Sequence, residues 1–117
     1  MKKILIADDD EAICDSLTMF LEEMGYRVQA TTEFTVENSI DSDFPDLILL
    51  DIWMSGKDGR DICRYLKSNE ETKNIPIIMI SASKELVSTV KEAGADDFIP
   101  KPFELDTLMG KIHSYLQ

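Results

Sequence analysis

Short apolar runs alternate with helical patterns along this chain, and the alternation limits the possible folds more than any other feature. The apolar runs suit strands that are buried on both faces of a sheet. The helical segments repeat apolar residues at three- and four-residue steps, as Ile13, Leu17 and Leu21 do. We predict strands at 4–7, 26–31, 47–50, 77–80 and 98–99, and helices at 13–24, 35–40, 60–68, 84–93 and 104–115.

Strands that alternate strictly with helices indicate a parallel sheet with helices on both faces. We therefore predict a single doubly wound α/β domain over residues 1–117, with five parallel strands in the order 2-1-3-4-5. We interpret Asp10 as the N-cap of the first helix and Gly25 as its C-terminal stop. The sequence contains no repeat and no internal linker.

Charge and composition argue against several classes of protein. A formal net charge of −11 disfavours direct binding of nucleic acid, whose phosphates are contacted by Lys and Arg. No apolar run approaches the roughly 18 residues that a membrane helix needs, and the first apolar run is too short for a signal peptide. We therefore expect a cytoplasmic protein without membrane contact. Cys14, Cys63 and the lone His113 are too few and too scattered for zinc, so we expect buried or half-buried thiols.

Polar residues stand where the predicted strands end. Asp8 and Asp9 follow the first strand, Asp51 follows the third, Ser81 ends the fourth, and Lys101 comes shortly after the fifth. In open α/β sheets, ligands bind beyond the carboxyl ends of the strands, where the strand order reverses. Here that point lies between the first and third strands. The sequence therefore predicts that these five side chains share one edge of the sheet.

The charges of this group favour a divalent cation. Three carboxylates and one lysine carry a net formal charge of −2, and crowded carboxylates resist ionisation unless a cation neutralises them. Oxygen ligands are those that Mg²⁺ prefers, and it commonly joins carboxylates to a phosphate. Attack by a carboxylate on a phosphoryl group needs the same neutralisation. Lys101 is suited to hold one phosphoryl oxygen as a point charge, and the Ser81 hydroxyl to hydrogen-bond another.

Four motifs in order give the chain its resemblance to a known family. They are 4–10 (ILIADDD), 49–54 (LLDIWM) with Asp58-Gly59, 80–82 (ISA) and 94–103 (GADDFIPKPF). Together they resemble the receiver domains of two-component response regulators, which have the flavodoxin-like fold called CheY-like. The resemblance covers the whole chain. It implies a signalling switch that catalyses its own phosphorylation and dephosphorylation, and not a turnover enzyme.

The resemblance implies a role for each residue of the acidic site. Asp51 would be the phosphoacceptor. Asp8, Asp9, Asp51 and the backbone carbonyl of Trp53 would hold Mg²⁺, for which Mn²⁺ or another divalent cation could substitute. Ser81 would bind a phosphoryl oxygen.

The resemblance also extends to the segment after the fifth strand. Lys101 would bind a second phosphoryl oxygen, and the Lys101–Pro102 peptide bond would be cis. Ser81 and Phe98 would form the switch that changes the surface around the fourth helix, the fifth strand and the fifth helix. The implied partners are a sensor histidine kinase or a histidine phosphotransfer protein and an unknown downstream protein. The implied assembly is a monomer or a weak, phosphorylation-dependent dimer.

Three departures from the family pattern affect these expectations. Ser55 stands where the family usually has proline, which predicts a looser loop after Asp51. The segment from Ser81 to Lys101 is two residues shorter than usual, which predicts a trimmed fourth helix or leading loop. Phe98 lacks the hydroxyl of the tyrosine that is frequent at its position.

Other interpretations of the sequence remain open. Asp8 and Asp10 have the spacing of an aspartate-nucleophile phosphatase of the haloacid dehalogenase type, although Ala12 stands where that family has Thr or Val. A flavin-binding module has the same topology, but an acidic first loop would repel the cofactor's phosphate. A receiver-like scaffold that works without phosphorylation is a third possibility. A stand-alone protein and a receiver taken from a longer regulator or hybrid kinase would have the same sequence features.

Overall fold

The computed structural model describes residues 1–33, 43–54, 56–83 and 87–116. Its central sheet contains five parallel strands in the order β2-β1-β3-β4-β5. The strands are β1 (Lys3–Ala7), β2 (Arg27–Thr31), β3 (Leu47–Asp51), β4 (Ile77–Ser81) and β5 (Asp97–Pro100). The predicted fold class and strand order are confirmed.

The described part of the chain contains four helices: α1 (Glu11–Glu23), α2 (Gly59–Ser68), α3 (Val87–Glu92) and α4 (Leu105–Tyr115). Asp10 caps α1 as predicted, because its carboxylate accepts hydrogen bonds from the backbone NH groups of Ala12 and Ile13. The predicted helix at 35–40 and the first three residues of the predicted helix at 84–93 lie outside the described residues. None of the described helices is long and apolar enough to cross a membrane.

The sheet separates two apolar layers, because alternate residues of each strand point to opposite faces. Leu5, Ile48 and Leu50 pack against α2 and α3 on one face. Ile4 and Ile6 pack against α1 and α4 on the other face. Strands β1, β3 and β4 are buried along their whole length. These three strands therefore hold their carboxyl ends in fixed positions at one edge of the sheet.

The segment after β3 is more ordered than the sequence predicts. The sequence predicts no strand between β3 and the helix at 60–68, but Trp53–Met54 pairs with Lys57–Asp58 in an antiparallel two-stranded ribbon. Gly56 lies in the turn with φ of 79°, a conformation that favours glycine. The helix predicted at 60–68 begins one residue earlier, at Gly59. Ser55 lies outside the described residues, so the expectation of a looser loop remains a prediction.

Candidate functional site

The carboxyl ends of β1 and β3 bring three aspartates together. Ala7 of β1 lies opposite Leu50 of β3, so the residues that follow them are neighbours. Asp8, Asp9 and Asp51 each offer a carboxylate oxygen, and these oxygens all lie within 4.8 Å of one another. We call these three residues the carboxylate cluster. Asp8 has no exposed surface and Asp51 is 7% exposed, whereas Asp9 is exposed.

Asp8 is held by contacts on both its backbone and its side chain. Its carboxylate Oδ1 accepts a hydrogen bond of 2.9 Å from the backbone NH of Asp10. Its carbonyl oxygen accepts a contact of 3.2 Å from the thiol of Cys14 on α1. Its own NH donates to the carbonyl of Thr31 at 3.1 Å. The carboxylate therefore has a fixed orientation before any ligand binds.

Lys101 bridges the two buried carboxylates. Its Nζ lies 2.9 Å from Asp8 Oδ2 and 3.6 Å from Asp51 Oδ2. The contact with Asp8 is an ion pair, and apart from it Asp8 Oδ2 is a buried oxygen without a partner among the described residues. Burial lowers the pKa of Lys101, but the two carboxylates outweigh it and the net shift is upward. Lys101 is therefore charged at neutral pH.

Asp51 lies in an environment that opposes its negative charge. Burial, followed by the charge of Asp8, raises the pKa of Asp51 to about 6, although Lys101 acts in the opposite direction. Lys101 thus does not outweigh burial and the charge of Asp8 at the Asp51 carboxylate. The donors are hard carboxylate oxygens, and one of them lacks a hydrogen-bond partner in the described chain. Such a donor set fits Mg²⁺ or a similar divalent cation.

Ser81 and Lys101 are joined directly at the same edge of the sheet. The NH of Lys101 donates to the carbonyl of Ser81 at 2.8 Å. Ile80, which precedes Ser81, lies opposite Asp51 in the strand register. The Ser81 hydroxyl is buried and accepts a hydrogen bond of 3.0 Å from the NH of Ser83. No acceptor for its proton lies among the described residues.

Trp53 and Phe98 occupy different environments. Trp53 lies in the ribbon and is 57% exposed. Phe98 lies in β5, is partly buried against the α2–α3 face of the sheet, and lines a small cavity with Val87 and Val90 of α3. The peptide bond between Lys101 and Pro102 is cis.

No role was predicted for Gly59, although Asp58-Gly59 forms part of one of the motifs. The NH of Gly59 donates to the carbonyl of Ile52 at 2.5 Å. A Cβ at Gly59 would lie 3.1 Å from the carbonyl carbon of Asp51 and closer still to its oxygen. The beginning of α2 therefore packs directly on the backbone of Asp51. The glycine that follows the N-cap Asp58 was the sequence signal for a special position. Its close approach to the backbone of Asp51 could not be predicted, because that contact depends on the tertiary fold.

Both cysteines are free and buried, as predicted. Burial raises the pKa of each thiol to about 11, and the negative charge of Asp8 adds to the shift at Cys14. Neither thiol is therefore a nucleophile at neutral pH. Cys14 instead contributes a contact to the backbone of the carboxylate cluster.

Comparison with known proteins identifies the family. Residues 4–113 match the family model of the response regulator receiver domain. The chain belongs to this receiver family. Membership sets aside the phosphatase and flavin-module interpretations. The five-stranded fold of this receiver is the flavodoxin-like arrangement of the family.

Similar proteins include both complete regulators and isolated receivers. This receiver is 33% identical over 120 residues to the DNA-binding dual master transcriptional regulator RpaA of Synechocystis, and 36% identical over 118 residues to the response regulator MprA of Mycobacterium avium. The alignments include 100% and 98% of this chain but only 50% and 51% of those proteins, so the chain spans about half their length. The BeF₃-activated receiver domain of RstA from Klebsiella pneumoniae superposes with a TM-score of 0.89 at 28% identity, over 99% of both chains.

Proposed function

We propose that this receiver is a phosphorylation-activated switch of a two-component system or phosphorelay, in which Asp51 accepts the phosphoryl group. The observation that carries the proposal is the convergence of Asp8, Asp9 and Asp51 within 4.8 Å, with Lys101 between the two buried carboxylates. Burial, followed by the charge of Asp8, raises the pKa of Asp51, as is common for carboxylates at functional sites.

The carboxylate cluster and the backbone carbonyl of Trp53 would hold Mg²⁺, Mn²⁺ or another divalent cation. The three carboxylates and Lys101 carry a net formal charge of −2, and a bound divalent cation would neutralise it. The cation supplies the charge neutralisation that lets an anionic phosphoryl donor approach an anionic nucleophile.

At Asp51, a carboxylate oxygen forms the new bond to phosphorus while the bond between phosphorus and the donor breaks. Lys101 holds one phosphoryl oxygen as a point charge, and the Ser81 hydroxyl donates to another. Attack of water on phosphorus later breaks the bond between phosphorus and the Asp51 oxygen, releases inorganic phosphate and restores the free carboxylate. The receiver thus catalyses its own phosphorylation and dephosphorylation and is not a turnover enzyme.

The phosphoryl group would drive a change between two conformations. When Ser81 donates to a phosphoryl oxygen, it moves toward Asp51 and leaves space into which Phe98 turns. Phe98 already packs beside α3, so the surface formed by α3, β5 and α4 changes. Phe98 has no hydroxyl, and its two positions therefore differ in packing alone.

The partners follow from this chemistry. A sensor histidine kinase or a histidine phosphotransfer protein would donate the phosphoryl group, and a downstream protein would recognise the altered surface. We propose that residues 1–117 form the receiver domain, act in the cytoplasm, and are monomeric or form a weak dimer after phosphorylation. The net charge of −11 argues against direct contact of this region with nucleic acid.

Mass spectrometry of the intact protein tests the assignment of Asp51. After incubation with acetyl phosphate and Mg²⁺, the protein should gain one phosphate that hydroxylamine removes. Asp51→Asn should remain unmodified, while Asp61→Asn, which changes an exposed aspartate on α2, should be modified as wild type is. Equal modification of Asp51→Asn and wild type would show that Asp51 is not the acceptor.

A further inference from the structure

Arg60 of α2 contacts three residues, of which two lie in the ribbon and one lies in α3. Its Nε lies 2.9 Å from Oδ1 of Asp58 and its Nη2 lies 2.7 Å from Oδ2, so the pair is bidentate. Its remaining nitrogen, Nη1, donates to the hydroxyl of Thr89 on α3 at 3.0 Å. The guanidinium carbon lies 5.9 Å from the centroid of the Trp53 ring, within range of a cation–π interaction. One side chain therefore joins α2, the ribbon and α3.

This arrangement is partly shielded from solvent and depends on the shape of arginine. The side chains of Arg60 and Asp58 are 17% and 23% exposed, so salt screens their attraction less than that of a surface pair. The planar guanidinium satisfies Asp58 with two nitrogens and still offers a third to Thr89. A lysine ammonium would carry the same charge without this fork.

A short path connects Asp51 to this bridge. Gly59 directly precedes Arg60, and its NH donates to the carbonyl of Ile52 at 2.5 Å. Gly59 also packs against the carbonyl of Asp51 so closely that no side chain fits between them. A displacement of the backbone at Asp51 therefore moves the beginning of α2, and Arg60 extends from that point to Thr89.

We propose that Arg60 is a positioning residue that couples the phosphoacceptor segment to α3 through Thr89. This inference rests on the proposed function, because the displacement it transmits begins with the phosphoryl group on Asp51. The bridge is a second connection to α3, separate from the one through Ser81 and Phe98. It enters α3 from the α2 side of the helix, whereas Phe98 contacts α3 from β5.

Amide NMR of the full chain with Mg²⁺ and saturating beryllofluoride, which stands in for the phosphoryl group, tests the coupling. In wild type, the amides of Ala7 and Asp8 should shift, and so should those of Val90 and Lys91 in α3. In Thr89→Val, the Ala7 and Asp8 shifts should keep their size, while the α3 shifts should fall at least twofold. Thr89→Ser keeps the hydroxyl and should restore them.

Variants of Arg60 test whether the coupling depends on the fork of the guanidinium and not only on its positive charge. Arg60→Leu and Arg60→Lys should both reduce the α3 response, because neither retains the fork. Arg64→Leu is the matched control, since Arg64 lies one turn further along α2 and its side chain hydrogen-bonds exposed Asp61. Arg64→Leu should respond as wild type does. The Arg60→Leu/Thr89→Val double variant should lose no more than either single variant. If Arg60→Leu does not fold, Thr89→Val and Thr89→Ser carry the test.

The outcomes distinguish the coupling from the function on which it rests. If beryllofluoride shifts neither Ala7 nor Asp8 in wild type, the proposed function fails and the coupling fails with it. If those amides shift but α3 responds equally in wild type, Thr89→Val and Arg60→Lys, only the coupling through Arg60 is refuted. A reduced α3 response in Arg64→Leu as large as that in Arg60→Lys would also refute it.

Discussion

Replacing Gly59 with alanine tests how closely α2 packs on the end of β3 at Asp51. Within a helix, Gly→Ala ordinarily stabilises by up to about 1 kcal/mol. At Gly59 the added Cβ would lie 3.1 Å from both the carbonyl carbon of Asp51 and the Cα of Ile52, and closer to the Asp51 oxygen. These are backbone atoms, so no side-chain rotation relieves the contact. Overpacking of this kind costs about 1–3 kcal/mol, which leaves a net loss of up to about 2 kcal/mol once the helix gain is subtracted.

Gly110 provides the matched control. It lies in the middle of α4, and a Cβ there would meet no heavy atom of the described chain within 4 Å outside its own helix. Gly110→Ala should therefore stabilise the protein by up to about 1 kcal/mol. The two variants make the same chemical change, so the unfolded state responds similarly in both. Their free energies of unfolding should therefore differ by the cost of overpacking at Gly59, about 1–3 kcal/mol.

Urea unfolding followed by circular dichroism measures both variants. Gly59→Ala should lower the midpoint and Gly110→Ala should raise it, with an unchanged dependence of the free energy on urea. Gly59→Ala should also weaken beryllofluoride binding, because the contact displaces the backbone of Asp51. If Gly59→Ala is as stable as Gly110→Ala, the close approach of α2 to Asp51 does not exist as described.

Two further predictions concern the charges of the site. The pKa of Asp51 is raised to about 6 in the folded chain. The folded chain therefore binds more protons than the unfolded chain between about pH 4 and 6. Because of this difference, the contribution of Asp51 to stability falls as pH rises through that range. Without divalent cations, Asp51→Asn should therefore be more stable than wild type by about 1–2 kcal/mol at pH 7.5, after allowance for solvent screening, and the difference should vanish near pH 4 in thermal unfolding scans; an equal difference at both values would contradict the assigned pKa. Trp53 fluorescence should change on titration with Mg²⁺ and again on addition of beryllofluoride. Asp8→Asn and Asp9→Asn should each weaken the Mg²⁺ response at least several-fold. Asp51→Asn should lose most of the beryllofluoride response. Wild-type Mg²⁺ affinity in both Asp8→Asn and Asp9→Asn would show that the metal binds elsewhere.

The sequence was sufficient to predict the sheet and the positions of the site residues. Strands such as β3 are continuous apolar runs, so the residue at which each strand ends can be identified from the sequence. Parallel pairing then brings the ends of β1 and β3 together, so Asp8 and Asp51 could be predicted as neighbours without coordinates. The N-cap role of Asp10 could also be predicted, because it depends only on residues that are close in the sequence.

Features that depend on tertiary contacts were not predictable in the same way. The ribbon formed by Trp53–Met54 and Lys57–Asp58 is too short to give a periodic pattern in the sequence, so no strand could be predicted there. The contact of Arg60 with Thr89 joins residues 29 positions apart on two different helices. The thiol of Cys14 could be predicted as buried, but its contact with the Asp8 carbonyl depends on how α1 lies over β1.

The separation of the core into two layers has a consequence for how sequences of this kind diverge. Ile4 and Leu5 are neighbours in the chain, yet each packs with a different pair of helices. A change of volume on one side of the sheet is thus compensated by partners on that side, and the other side can drift independently. The carboxylate cluster belongs to neither layer, because its position is set by where the strands end. Lineages can therefore replace most of either layer while the chemistry at Asp51 stays the same.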